Sequence, residues 1–462
     1  MTQAAIMPSA EREVAEHRHL EKRAIKGASY VAVSFGLASG LRMASSIVLT
    51  RLFVPSYFGL MALVTTILVG LNLITHFGLG DCVIQNPRGE DPLFLRTTWT
   101  LQVIRGAFLW LASLAVAYPV ALFYHERLLL FILPVLGFTC VISGFSSSSL
   151  LLLSRQMAVG RLSFLELLAQ FVQFAVTAVW ALIHPTIWAL VAGRVVAEFV
   201  RTAVSFRMGP RQNVGFAWDR ETVRAVIQLG RWIMLSTALT FFAMQSDRLI
   251  LGKLVSWSLL GIYGIAYALS DIPRQVIGAF TARVGYPFIA RFAHRPRGEF
   301  REVLLKYRGR IMALGALLLG LVIVSSDQFI LHVYDKRYHQ AAWMVVILAC
   351  GLWHTLMADT LSPVLLSIQR AHYQTIAMAA YCATLFTALP LGYHFFGMPG
   401  AVIAVAASDF PVYVVNSIGM VSEGLSVLRQ DLKLTLLLLA IVAAGFFLRH
   451  AAGIPSPFRL IP

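Results

Sequence analysis

IVLTRLFVPSYFGLM (residues 47–61) and LILGKLVSWSLLGIY (residues 249–263) align without a gap. Leu49 falls on Leu251, Leu52 on Leu254, Ser56 on Ser258 and Gly59 on Gly261, and the basic Arg51 meets Lys253. Each copy leads out of one apolar run and into the next, so the chain reads as two related halves. The theme returns further on. FYHERLLLFILP (123–134) is followed by LLLLSRQ (150–156), and VYDKRYHQAAWM (333–344) by LLSIQR (365–370). Six apolar runs separate the copies. An even number of crossings preserves orientation, so the repeats are expected to be parallel, related by an axis along the membrane normal.

Composition places these runs in a bilayer. Of 462 residues, 58% are hydrophobic and 13% charged, whereas soluble domains carry roughly 45–50% and about 25%. At about 20 apolar residues per crossing, the expected fold is an all-α integral membrane protein of 12–14 transmembrane helices. They form two pseudo-symmetric six-helix bundles around a central cavity. Apolar runs predict spans near 28–50, 57–77, 102–123, 128–150, 163–183 and 187–206, and again near 231–252, 259–281, 311–332, 341–366, 374–394 and 399–421. A further stretch, 433–448, is a candidate thirteenth span. The expected organisation is a cytoplasmic segment 1–27, an N-terminal bundle 28–206, a basic connector 207–230, a C-terminal bundle 231–421 and a C-terminal segment 422–462. The polar first segment has no short apolar core with a cleavage site, so it is expected to be retained.

The net charge of +16 follows the positive-inside pattern if the N-terminus is cytoplasmic, because most Lys and Arg then fall on inner segments. RMGPRQNVGFAWDRETVRAVIQLGR (207–231) and RVGYPFIARFAHRPRGEFREVLLKYRGR (283–310) carry much of the excess. They fit orientation and attraction to anionic headgroups. No groove-reading or stacking motif accompanies the charge, so nucleic acid is not an expected partner. Cys82, Cys140, Cys350 and Cys382 lack the paired spacing of a metal or redox site and read as packing residues.

Charges inside spans are informative, since each costs about 2.5–3.5 kcal/mol to insert. Arg42 lies in span 1 on a face with Ser34, Ala38 and Ser45, without a carboxylate. Arg105, Arg194, Arg248 and Arg274 lie in other spans. Asn72 and His76 follow Thr65 along span 2, and Glu166, Gln170, Gln173 and Thr177 form one stripe on span 5. Such stripes line water or join helices by hydrogen bonds. Arg194 and Glu198, four residues apart, are expected to pair. Asp271 and Arg274 flank Pro273 near mid-membrane. Asp247 ends span 7, Asp359 precedes Pro363 and Asp409 lies beside Pro411. Each of these carboxylates is a candidate for carrying a coupling proton, and His354 is another.

RAIKGASY (23–30), TRLFVPSYFGLMALV (50–64) and FGLGDCVIQ (77–85) resemble the opening of bacterial polysaccharide-unit flippases. These form the Wzx-like branch of the multidrug/oligosaccharidyl-lipid/polysaccharide exporter superfamily. SDRLILGKLVSWSLLGIYGIAYALSDIPRQV (246–276) and YPFIARF (286–292) resemble their seventh and eighth helices, through Asp247, Arg248, Gly252, Lys253, Gly261, Tyr263, Ala266 and Pro273. The likeness covers roughly residues 22–425. Phe53-Val54 and Val255-Ser256 depart from the family's usual Leu-Gly pair.

The resemblance implies alternating access and a substrate that is an oligosaccharide on undecaprenyl diphosphate, carried from the cytoplasmic to the periplasmic leaflet for surface polysaccharide. Arg42 and Arg274 are the candidates for gripping the diphosphate, because guanidinium forks match phosphate oxygens. Asn72, His76, Gln170 and Gln173 are candidates for the sugar. Asp271, Asp359, Asp247 and Asp409 are candidates for H+ or Na+ coupling. No metal site, cofactor or catalytic residue is expected, and the partners are the lipid-linked oligosaccharide, membrane lipids and the polysaccharide polymerase and export machinery. The expected location is the inner membrane, multi-pass. A polymerase or ligase using the same lipid-linked sugars would need a long outer loop with catalytic residues, whereas YHERL, HPTI and FFGMPG are short. A drug exporter of the same fold would need fewer unpaired arginines.

Overall fold

A computed structural model of the protein describes residues 36–156, 158–208, 215–281, 285, 289 and 291–457. The expected segment 1–27, the start of span 1 including Ser34, and part of each basic stretch lie outside the described residues. Among the described residues there is no strand. The helices are α1 (36–52), then α2 (Pro55–Ile74), α3 (Leu79–Gln85), α4 (Pro92–Tyr124), α5 (Leu129–Gly144), α6 (Ser149–Arg155), α7 (Val159–Ile183), α8 (Ile187–Met208) and α9 (Arg220–Leu254). They continue with α10 (Trp257–Ser270), α11 (Ile272–Phe280), α12 (Arg297–Val333), α13 (Ala341–Ser367), α14 (His372–Ala407), α15 (Phe410–Ser422) and α16 (Leu428–Ala451).

Among the described residues, seven stretches are long and apolar enough to cross a bilayer, and α5 with α6 makes an eighth across a 70° bend. One of the seven, His372–Ser422, has 51 residues, about 75 Å of helix, and holds both expected spans 374–394 and 399–421. Within it Gly397 has φ 61° and ψ −146° between Pro390 and Pro399, a left-handed turn that glycine adopts without steric penalty. Of the remaining expected spans, those in α8, in α9 and across α10–α11 are helical, as is the described part of the first, in α1. Charges such as Arg194, Glu198 and Arg201 dilute the apolarity of α8. The candidate span 433–448 lies within α16, 24 residues long.

The described residues up to Leu52, with Leu71–Thr237, form one compact unit, and Phe53–Gly70 with Ala238 onward form a second. The second unit therefore takes in a segment that precedes the connector in sequence.

In the first unit α4 packs on α5, α7 on α8 and α5 on α8. Asp91 caps α4 by accepting from the Leu93 amide at 3.1 Å, with Pro92 in the first turn, where its missing N–H costs nothing. Thr97 and Thr100 of α4 accept from the amides of Asp219 and Ala217, both at 3.1 Å. These bonds fix the end of the connector to the start of α4. Asp219 in turn caps α9, and the Thr222 hydroxyl holds its carboxyl below the usual carboxylate range. That contribution is complete at neutral pH and is lost as the pH falls below the ordinary value of 3.8.

The hub of the second unit is α13, with 78% of its apolar window buried, against 17% for α16. It packs on α10, α12, α14 and α15. Two buried ion pairs tie α16 to α12: Arg308 to Asp431, and Arg449 to Asp327, whose closest approach is 2.6 Å. The earlier residue of α12 meets the earlier residue of α16, so the two helices run in the same direction.

The aligned glycines of the two repeats touch each other. A Cβ at Gly59 would lie 1.9 Å from the Trp257 carbonyl oxygen, and one at Gly261 would lie 2.0 Å from that of Pro55. Pro55 and Trp257 are themselves aligned positions, so the contact is reciprocal, as at a two-fold axis. Nearby, the Tyr338 hydroxyl donates to the Phe53 carbonyl at 3.0 Å. Since the obstacle is backbone on both sides, Gly59→Leu is expected to lower stability by about 1–3 kcal/mol through overpacking. Thermal unfolding of the detergent-solubilised protein checks this, and an unchanged melting temperature would show that the crossing is not tight.

Candidate functional site

Each unit has a cavity into which charged and polar side chains reach. The cavity of the first unit has a volume of about 420 Å³ and is lined by Asn72, His76, Gln102, Arg105, Cys140, Glu166 and Arg201, with serines from the α5–α6 break. Arg105, on α4, donates from Nε to the Thr75 carbonyl at 2.8 Å and from Nη2 to the Asn72 carbonyl at 2.7 Å. These are among the last carbonyls of α2 and the residue after it, at a helix end where backbone amides run out. Gln102, one turn earlier, spends its amide on the break between α5 and α6. It donates to the carbonyls of Ser143 at 3.1 Å and Gly144 at 3.0 Å, and to the Ser146 hydroxyl at 2.9 Å. Asn72 donates to the Cys140 thiol at 3.6 Å. His76 Nδ1 is buried without a hydrogen-bond partner.

The cavity of the second unit, about 180 Å³, is lined by Arg274, Asp271, Asp359 and Asp409 with Thr355, Tyr267 and Tyr381. Arg274 Nε meets Asp271 Oδ1 at 2.6 Å, and its Nη1 lies 3.9 Å from Asp359 Oδ2. Gln275 donates to the other Asp271 oxygen at 3.1 Å, and the Thr355 hydroxyl donates to Asp409 at 2.6 Å. The local backbone explains how these groups gather. Asp271 separates α10 from α11 and Asp409 separates α14 from α15, each followed two residues later by proline. A proline in the first turn of the following helix cannot donate to the preceding turn. Ser270-Asp271-Ile272-Pro273 and Ser408-Asp409-Phe410-Pro411 are thus one motif used twice, a sequence signal that span-by-span reading misses.

The expected site residues divide between several places. Asn72 and His76 line the first cavity, and Arg274, Asp271, Asp359 and Asp409 line the second. Arg274 is paired with Asp271. Asp247 is buried and accepts from the Tyr263 hydroxyl at 2.7 Å. Arg42 is exposed on α1; it donates to the Ser39 hydroxyl at 3.1 Å and meets no carboxylate among the described residues. On α7 the stripe splits. Glu166 faces the cavity, whereas the Gln173 carbonyl and Thr177 hydroxyl press against Gly193 of α8, and the Gln170 side-chain oxygen is buried without a partner. Glu198 pairs with Arg201 at 3.3 Å, correcting the expected pair with Arg194, which is exposed. His354 stacks edge-on against Phe410, centroids 5.2 Å apart. Cys82 and Cys140 are buried, as packing residues are, but Cys350 is exposed and Cys382 half-buried. Among the described residues no cluster of three His, Cys, Asp or Glu is arranged to hold a metal ion.

A family model described as polysaccharide biosynthesis protein matches residues 48–343. The chain is 24% identical over 328 residues to the teichuronic acid biosynthesis protein TuaB of Bacillus subtilis (strain 168), covering 69% of this chain and 67% of that one. It is 20% identical over 325 residues to the lipopolysaccharide biosynthesis protein WzxC of Escherichia coli (strain K12), covering 69% and 65%. The aligned part thus spans about two thirds of these relatives' lengths. Among solved structures, the fold matches an inward-facing multidrug resistance MATE family transporter of the MOP superfamily with TM-score 0.68 at 13% identity, over 87% of this chain and 94% of that one. It matches the lipid II flippase MurJ, in an inward closed conformation, with TM-score 0.68 at 11% identity, over 92% and 94%.

Proposed function

The chain belongs to the polysaccharide biosynthesis protein family, and we propose that it is a flippase. In this reading it carries oligosaccharide units linked to undecaprenyl diphosphate from the cytoplasmic to the periplasmic leaflet of the inner membrane, by alternating access. One observation carries the reading: in a chain of membrane-spanning helices, charged and polar side chains converge on a cavity in each unit. Such groups are costly in hydrocarbon and mark transport pathways. The names of the relatives, both polysaccharide biosynthesis proteins, support the substrate class, and the MurJ likeness supports the fold.

The N-terminus is cytoplasmic in this proposal. Arg42 meets the diphosphate, since its guanidinium is exposed and no carboxylate among the described residues neutralises it. The second cavity, with one arginine among three aspartates, takes up H+ or Na+ and returns the protein to its loading state. Arg274 then holds the carboxylates apart and does not grip substrate. Arg42→Ala is expected to reduce export at least about tenfold, the loss of a charge-assisted hydrogen bond to phosphate, at unchanged protein level. Full export by that variant would remove Arg42 from the substrate path.

A deletion strain tests the function itself. Lipid-linked oligosaccharide should accumulate on the cytoplasmic side while surface polysaccharide disappears. Normal surface polysaccharide in a strain without a second exporter would overturn the reading.

A further inference from the structure

We propose that the cavity of the first unit is an anion subsite, anchored by Arg105, that receives the phosphate end of a sugar phosphate or diphosphate. The inference rests on the flippase reading for its purpose but not for its chemistry. The charges that line the two cavities differ: in the first, Arg201 is held by Glu198 and Arg105 stands with the exposed Glu166, whereas in the second Arg274 stands among three aspartates. A volume near 420 Å³ is within the range of small-molecule sites.

Arg105 is built as a phosphate ligand is built. Its Nε and Nη2 are fixed by the Thr75 and Asn72 carbonyls, which sets the guanidinium plane. Its Nη1 has no acceptor and no carboxylate partner among the described residues, so the full positive charge stays available to the cavity. Closing the end of a helix does not require that charge. Gln102, on the same helix, satisfies the carbonyls freed by the α5–α6 break with a neutral amide. His76, with its buried unpartnered Nδ1, lines the same cavity and offers a second donor to an anionic oxygen. Planar guanidinium with an imidazole beside it is a recognition pattern for phosphate oxygens.

The occupant's phosphate could come from a lipid headgroup or from a soluble nucleotide sugar, and the test separates the two. Equilibrium binding of radiolabelled farnesyl diphosphate and of UDP-glucose is measured on the full chain in detergent micelles. Farnesyl diphosphate is expected to bind saturably and more tightly than UDP-glucose. Arg105→Gln should weaken it at least about tenfold, Arg105→Lys should restore part of the loss, and Arg127→Gln, at an exposed turn, should change nothing. Glu166→Gln, which removes the opposing charge, should tighten binding severalfold. Tighter binding of UDP-glucose with the same Arg105 dependence would keep the subsite and assign it a soluble occupant. Unchanged affinity in a folded Arg105→Gln protein, or no binding of either ligand to the wild type, would overturn the proposal. If Arg105→Gln does not fold, Glu166→Gln decides: affinity that fails to rise overturns it. The deletion strain reads the flippase function without reference to this cavity, so the two can fail separately.

Discussion

Arg308→Met is expected to destabilise the protein by about 3–5 kcal/mol, the usual cost of leaving one member of a buried ion pair without its partner. Arg308 and Asp431 are almost fully buried. Arg308 also donates from Nε to the Thr360 hydroxyl at 2.9 Å, while the Tyr413 hydroxyl donates to Asp431 at 2.9 Å. Without the guanidinium, Asp431 keeps one hydroxyl donor at a buried position. The double variant Arg308→Met/Asp431→Leu should recover most of the loss, because an apolar pair of similar volume avoids burying charge. Thermal unfolding in detergent and proteolysis at the α15–α16 junction check both. A single variant as stable as the wild type would mean that α16 is not fixed to α12 by this pair.

Arg274→Gln is expected to cut export at least tenfold while leaving the protein inserted. Among the described residues, Arg274 is the one cation lining a small cavity that also holds Asp271, Asp359 and Asp409. Two of those carboxylates lie within 4 Å of its guanidinium. Removing it leaves three like charges that no longer share a counterion, and under the proposed coupling the cavity relieves them by retaining a cation in its place. Lysine at position 274 should rescue part of the activity, because it restores charge without the two-pronged geometry. The double variant Arg274→Gln/Asp271→Asn should recover more export than Arg274→Gln alone. Export assayed by surface polysaccharide, normalised to protein level, reads all three. Wild-type export by Arg274→Gln would remove the second cavity from the transport cycle.

Much of the fold is legible in the sequence because apolar length dictates crossing in a bilayer, where every backbone group must bond internally. The runs from Pro55 to Ile74 and from Ala341 to Ser367 are readable to within three residues for that reason. The repeat of Gly59 in Gly261 also proved physical, since the two positions are in contact. What helical periodicity cannot supply is which neighbour a side chain meets. Glu198 has Arg194 one turn before it and Arg201 almost one turn after, and both spacings permit a pair; packing selects Arg201. The arginines illustrate the same limit: Arg42, Arg105 and Arg274 all read as mid-span cations. One is exposed, one bonds the last carbonyls of another helix and one is held by a carboxylate three residues back. Gln170 and Gln173 read as lining residues, yet the second presses its backbone against Gly193 in a helix crossing. The paired Ser-Asp-x-Pro motifs were visible in the sequence, but only the breaks at Asp271 and Asp409 reveal that they face one cavity.

The central claim is tested most directly by reconstitution. Purified protein is placed in liposomes with a fluorescent lipid-linked oligosaccharide, and the fraction exposed on the outer leaflet is read with a membrane-impermeant quencher. The account predicts leaflet exchange at least tenfold faster than in protein-free vesicles, dependent on an H+ or Na+ gradient and reduced by Arg42→Ala. Exchange no faster than in protein-free vesicles, from protein shown to be folded and inserted, would contradict it.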